Sequence, residues 1–468
     1  MGGAPGLTDP RTHWMKPSKT LPRGDWVDAS REAPPEQFAQ GVLQHYRDSA
    51  ADLAALAAGK QALAGLYDVA GIVRIVNICF WGRSGSYLLA SYLDDHDDIL
   101  TMPMVASLSM YTFFDRFAFL SVWDKLLVYP TYSEHKCGPD GAFFSGDSAI
   151  DESHYRAAVA ALEAQHRRRG PQWLNTSQRF VQLLHVAYAL ALERRPANAR
   201  PLIVYAQHWS DDGLAARYVA DFPQGLFLHT VRDPIANLDS WFERQLWLQK
   251  AGMGTALFGR GYRIDQADRY LSPAAATIID LLSWDRPHRG MADRSRAVRF
   301  EDMHKDLEAI MRRVAAWIGV DYQPSMLAST FNGRPHVNES GNKKWVGSNP
   351  ANAARRSRNL FATDRWFAAA LMREDFTDWG YAFPKLLRQG WARTLVIGVL
   401  WVLPLKMEWV GAGQLLQLQA WPALRQGRVA FALGALAHIL GRRLRLMVFL
   451  AGQAAQRLRG RHETLRVL

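Results

Sequence analysis

The chain has 468 residues, 49% of them apolar, and a formal net charge of +12, enough for a large buried core or two to three average domains. Its only cysteines, Cys79 and Cys137, exclude a disulfide framework and a cysteine-rich metal site, and make a reducing compartment the simpler setting. The charge is unevenly placed: residues 385–468 hold thirteen Lys and Arg against Glu408 and Glu463, and the rest of the chain is nearly neutral.

The first residues, MGGAPGLTDPRTHWMKPSK, lack the continuous apolar stretch of a signal peptide or signal anchor. Gly6 stands where a myristoylation motif wants Ser or Thr. After this Pro-rich start, helical spacing of apolar residues predicts one helix over 36–67. A β-branched run bounded by Gly71 and Gly82 predicts a strand over 72–80. Further buried strands are expected at 202–205, 226–231 and 297–300, followed by helices over 213–221, 234–248 and 305–318. Strands alternating with such helices imply a doubly wound α/β fold with a parallel sheet and right-handed crossovers. Residues 1–71 read as an N-terminal extension, 72–384 as the α/β domain and 385–468 as a basic apolar helical appendage. Residues 102–193 form a helical insertion whose aromatic run, MYTFFDRFAFLSVW, favours core packing over an apolar acceptor pocket or lid.

Between the first strand and its helix stands Gly82-Arg83-Ser84-Gly85-Ser86. Small residues there let backbone N–H groups converge on an anion at the positive end of the helix dipole. Arg83 adds a cation, and Ser84 and Ser86 add donors. The stretch is not a Walker loop, since GxxxxGK[ST] is absent, and a plain turn with an N-cap is the competing reading. A second element, His229-Thr-Val-Arg232-Asp233-Pro234 with Ser240 on the following helix, ends a strand with an Arg and starts a helix at Pro234. Arg232 and Ser240 are placed to grip another phosphate.

Together these elements resemble the sulfotransferase superfamily that uses 3′-phosphoadenosine 5′-phosphosulfate. The strand-RSGS-helix order, then VRDP with a Ser eight residues after the Arg, then Val298-Arg-Phe-Glu-Asp302 ahead of a helix carry the likeness over roughly residues 72–384. The RSGS form is closer to carbohydrate and bacterial members than to the cytosolic phenol sulfotransferases, and Tyr87 replaces a hydroxyl residue common there. The resemblance implies that Arg83, Ser84, Gly85, Ser86 and Tyr87 cradle the 5′-phosphosulfate and that Arg232 and Ser240 bind the 3′-phosphate. It also places Lys343 and Lys344 in a loop near the 3′-phosphate, where a solvated basic turn is the alternative. Arg355, Arg356 and Arg358 read as surface or helix-entry charges, and Trp81 as core.

Sulfuryl transfer needs in-line placement, charge neutralisation on the leaving phosphate and removal of an acceptor proton. Arg83 is the expected charge stabiliser, and His208, just past the strand at 202–205, the expected base. A carboxylate is its rival. No metal is required. The tail, with apolar stretches at 394–405 and 429–440 and eight interspersed arginines from Arg425 to Arg461, is too short in either stretch to span a bilayer and suits an anionic membrane surface. Nucleic acid is disfavoured, and a helical cap or homodimer interface is the alternative. These readings give a cytoplasmic, peripheral sulfotransferase on the inner face of a membrane, acting on a hydroxyl of a lipid or lipid-linked glycan. Its rivals are a kinase with an atypical phosphate loop and a non-catalytic membrane adaptor.

Overall fold

The computed structural model describes residues 34–48, 53–80, 84–103, 110–137, 143–146, 148–208, 212–250, 286–340, 343–353, 359–459 and 463–468. Five strands form one sheet: β1 (Ile75–Phe80), β2 (Ile99–Thr101), β3 (Leu202–His208), β4 (Leu226–Val231) and β5 (Ser295–Arg299). Their order is β2-β3-β1-β4-β5, and every pairing is parallel. Side-chain alternation gives each strand two apolar faces. Ile75, Cys79, Ile203, Tyr205 and Phe227 enter one core, while Val76, Ile78, Val204, Ala206 and Leu228 enter the other. The chain leaves β1 toward β3 and β2 on one side and later returns to β4 and β5 on the other. A ligand crevice is expected where such a reversal brings strand C-termini together.

Within the helix expected over 36–67 the structure describes α1 (Pro35–Asp48) and α2 (Leu53–Ala64); residues 49–52 lie outside the described residues. β1 leads into the short α3 (Ser86–Ser91). The insertion supplies α4 (Met110–Arg116), α5 (Val122–Cys137), α6 (Glu152–His166) and α7 (Ser177–Ala191). Residues 180–191 of α7 are buried without interruption, so this helix is covered on all sides rather than along one stripe. Tyr111, Phe113 and Phe117 are buried, and Phe113 packs on Phe117, Tyr129, Tyr132 and Phe180. The aromatic run therefore builds core at these positions, while Phe119 stays exposed.

β3 leads to α8 (Asp212–Asp221) and β4 to α9 (Pro234–Lys250). β2, three residues long, escaped the sequence reading because so short a run has no measurable alternation. The strand expected over 297–300 ends at Arg299, since Phe300 opens α10 (Phe300–Lys305). The helix expected over 305–318 begins only at α11 (Leu307–Ile318). Asp306 separates α10 from α11 in a non-helical conformation, φ −146° and ψ 74°, and its carboxylate accepts from Ala309 N at 3.2 Å. That cap competes with helix continuation. Gly319, at φ 75°, ends α11 in the left-handed conformation.

Beyond the sheet, β6 (Thr330–Phe331) pairs with β7 (Arg334–Pro335), and β8 (Val337–Ser340) with β9 (Lys343–Val346). Helices α12 (Ala362–Leu371) and α13 (Arg373–Asp378) follow, then α14 (Gly390–Leu400), α15 (Lys406–Leu415), α16 (Trp421–Arg425) and α17 (Val429–Leu458). The second apolar stretch of the tail thus lies in a helix that runs well past residue 440. No helix among the described residues is long and apolar enough to cross a membrane.

The tail is tied to the body at several levels. Leu446, Leu450 and Ala454 share a core cluster with Phe367, Leu371 and Leu238 of α9. The last residues form an additional parallel bridge on the free edge of the sheet, where Ala297 N donates to Arg466 O at 2.8 Å and Leu468 N to Ala297 O at 2.9 Å. Arg457 reaches Asp375 at 2.6 Å with both side chains fully buried. Truncating one partner of such a pair strands a charge out of water, so Arg457→Ala should destabilise the protein by roughly 3–5 kcal/mol in urea unfolding. The double replacement Arg457→Met with Asp375→Leu should recover most of that loss.

Candidate active site

The site lies where β1 and β4 end side by side. Cys79 is in register with His229, so the residues leaving β1 face those leaving β4. Ser84 and Thr230 hydroxyls meet at 2.6 Å in full burial, fastening the serine-glycine turn to the strand that carries Arg232. Gly85 has φ +94°, and a Cβ there would lie 2.4 Å from Phe300 Cδ2. Both facts demand glycine. Ser86 is buried at the first residue of α3. The turn is thus held from beneath by Thr230 and from the side by Phe300.

Phe300 also carries the guanidinium of Arg232, whose Cζ sits 4.4 Å from the ring centroid. The cation is buried there, and the negative face of the ring offsets part of its lost hydration. Asp233 caps α9 by accepting from Ala236 N at 2.8 Å, and its own N–H donates to Glu301 Oε1 at 3.2 Å. Tyr381 donates to Glu301 Oε2 at 2.5 Å. Burial pushes the Asp233 carboxyl above its ordinary value, with Glu301 adding to the rise. Ser240 is buried in the second turn of α9, and its neighbour Asp239 accepts from Asn359 N at 2.6 Å.

His304, at the end of α10, stacks edge-on against Phe300 with centroids 4.3 Å apart. Its Nδ1 accepts from Asn349 N at 2.7 Å, which puts the proton of the neutral ring on Nε2. That buried atom has no hydrogen-bond partner among the described residues. Burial, then the charge of Arg232, lowers His304 to about 4. Burial likewise keeps His229 neutral, lowering it to about 3, with His288 adding to the effect.

The residues singled out from sequence fall into two sets. Ser84, Gly85, Ser86, Arg232 and Ser240 gather at the ends of β1 and β4 and the start of α9. Tyr87 is at the edge of exposure and stacks on His336, 6.4 Å away and tilted by 22°. Lys344 lies exposed on β9 opposite Glu339. Trp81, Arg83, Arg355, Arg356 and Arg358 lie outside the described residues, as do the side chains of His208 and Lys343. The backbone of His208 ends β3 in register with Phe80, at the rim of the same crevice. Sequence reasoning overlooked Thr230, Phe300 as a platform, and His304. Only Phe300 and its Glu301 left a signal, inside the strand-Phe-Glu-Asp segment.

Two measurements probe this arrangement. Gly85→Ala should cost more than about 1 kcal/mol, the usual penalty for a left-handed L-residue. Combining it with Phe300→Leu should give a loss smaller than the sum of the two, because the contact is shared. In the second, His304 stays neutral in the folded protein while the unfolded chain protonates near its ordinary 6.5. The unfolded state then binds more protons, so stability should fall as pH drops from about 6.5 toward 4 and level off below. His304→Gln should make that decline shallower.

Comparison with known proteins identifies the chain at the level of family. A family model described as "Sulfotransferase family" matches residues 76–324, more than half of the chain. Among curated proteins nothing matches. Among solved structures, the chain is similar to the sulfotransferase domain from the curacin biosynthetic pathway, at 14% identity over 66% of this chain and 99% of that one, TM-score 0.33. It is also similar to the sulfotransferase domain from the Synechococcus PCC 7002 olefin synthase, at 19% identity over 66% of this chain and 95% of that one, TM-score 0.34. The stretch matched by the family model runs from β1 through α11 and contains the Ser84–Thr230, Gly85–Phe300 and Arg232–Phe300 contacts, and the chain belongs to the sulfotransferase family.

Proposed function

We propose that the protein moves a sulfuryl group from 3′-phosphoadenosine 5′-phosphosulfate to a hydroxyl on a lipid or lipid-linked glycan. The observation that carries the donor reading is Phe300: one ring abuts Gly85 and bears Arg232. The turn and the guanidinium therefore border one crevice, as a nucleotide with phosphates at its 5′ and 3′ ends requires. Two further features fit such a ligand. The cradle at Gly85 has no room for a Cβ, and the orphaned Nε2 of His304 is a buried donor awaiting an acceptor.

In this reading the N–H groups and hydroxyls of 84–86 hold the 5′-phosphosulfate, with Tyr87 at the rim. Arg232 and Ser240 hold the 3′-phosphate, and Lys343 and Lys344 close over it. The donor supplies an activated sulfuryl group on a phosphate leaving group. Arg83 neutralises the charge that grows on that phosphate, a contribution that is largest in a water-excluded site. His208, at the end of β3, takes the proton of the acceptor hydroxyl. Nothing in this chemistry calls for a metal.

Calorimetry with adenosine 3′,5′-bisphosphate against ATP separates this donor from a kinase's. The bisphosphate should bind and ATP with magnesium should not compete. Arg232→Ala should weaken the bisphosphate by about 1.5–3 kcal/mol, the range for a hydrogen bond to a charged group. His208→Ala should cut turnover by roughly 10²–10⁴ with nucleotide affinity unchanged. Equal losses in turnover and affinity would make His208 structural, and donor binding without turnover on any hydroxyl acceptor would favour the adaptor.

A further inference from the structure

Helix α17 is turned inside out relative to a helix packed on a water-soluble body. Two of its arginines face inward. Arg457 is buried against Asp375, and Arg443 pairs with Glu408 at 2.7 Å while donating to the carbonyls of Trp401 and Leu403. Apolar residues face outward over roughly its first five turns. Between Val429 and Val448 every exposed residue that the structure describes is Val, Leu, Ala or Gly. Leu433, Leu440, Leu444 and Val448 are 59%, 70%, 62% and 67% exposed, and with Val429 and Leu436 they recur every three or four residues. At 1.5 Å per residue they make one stripe roughly 29 Å long.

The stripe has neighbours of the same character. Trp391, Leu395 and Val399 recur every fourth residue on α14, all more than half exposed. Trp409 and Trp421 stand out from α15 and α16. Leu436 of the stripe also lines an open apolar pocket of about 480 Å3, with Leu416, Trp421 and Leu424 among the other walls. Scattered exposed apolar residues are ordinary, whereas a contiguous apolar face marks a surface that something covers.

We propose that this face of the tail docks on an anionic lipid bilayer, with α17 lying in the plane of the interface and the pocket at Leu436 admitting one lipid acyl chain. Charge selects this occupant over a second copy of the chain. Lys385, Arg388, Arg425, Arg428 and Arg459 are exposed in the tail, where thirteen basic residues face two carboxylates. Apposing two such faces would bring like charges together, whereas an anionic leaflet attracts them and the stripe enters the headgroup boundary. Exposed tryptophans beside aliphatic rows are suited to that depth. Because α9, which follows Arg232, shares a core cluster with α17, docking fixes the site's orientation to the membrane. The inference does not depend on the identity of the sulfuryl donor.

The full chain, without nucleotide, is floated with vesicles of phosphatidylcholine alone or mixed with phosphatidylserine. The protein should float with the mixed vesicles, at least about tenfold better than with phosphatidylcholine alone, and raised salt should weaken the association. L433Q/L440Q/L444Q should lose at least about tenfold of that binding with an unchanged melting temperature, since these side chains face outward. Arg425→Glu with Arg428→Glu should lower binding to the mixed vesicles only. Failure of the wild type to float, or a folded triple variant that binds as well as wild type, overturns the proposal. So does a lipid-free dimer of the wild type that the triple variant renders monomeric, for then a second copy covers the face.

Discussion

Everything at the crevice depends on how one aromatic ring is wedged. Phe300 stands at the junction of β5 and α10, with a glycine on one side and a buried guanidinium on the other. Arg232 has left water, and the ring face beneath it offsets part of the cost of that burial. The same ring leaves residue 85 no side chain, which keeps the backbone of the turn open to a ligand. The Ser84–Thr230 hydroxyl pair then locks the turn to the strand that ends in Arg232. Three segments far apart in sequence become one surface through three contacts.

Electrostatics around this wedge are set by burial and by the charge of Arg232. His304 is kept neutral by burial and by Arg232 beside it, so its unpaired Nε2–H offers a hydrogen bond rather than a charge. Asp233 and Glu301 spend their oxygens on Ala236, on the Asp233 N–H and on Tyr381. These two carboxylates are thus engaged in holding α9 and α10.

The tail repeats the same economy with opposite geometry. Its arginines at 443 and 457 turn inward to Glu408 and Asp375, while Leu433, Leu440 and Leu444 turn outward. A buried ion pair is weak evidence of net stability, yet here it fixes which side of α17 faces the protein. The C-terminal bridge to Ala297 then anchors the end of the chain beside the strand that leads into Phe300.

The amino-acid sequence by itself determined the alternation of strands and helices, the glycine-serine turn after the first strand, the Arg-Asp-Pro opening of α9 and the basic, apolar tail. These are local properties: β-branched runs, helix-start chemistry and charge counts report on a few consecutive residues. The sequence was silent on β2, whose three residues carry no period, and on the break at Asp306, where a single capping carboxylate decides between one helix and two. Only the tertiary structure decided that Thr230 meets Ser84, that Phe300 serves both Gly85 and Arg232, and which flank of α17 is exposed. Those outcomes follow from the register of parallel strands and the packing of side chains across more than a hundred residues of chain, and such pairings leave no periodic trace in the order of the amino acids.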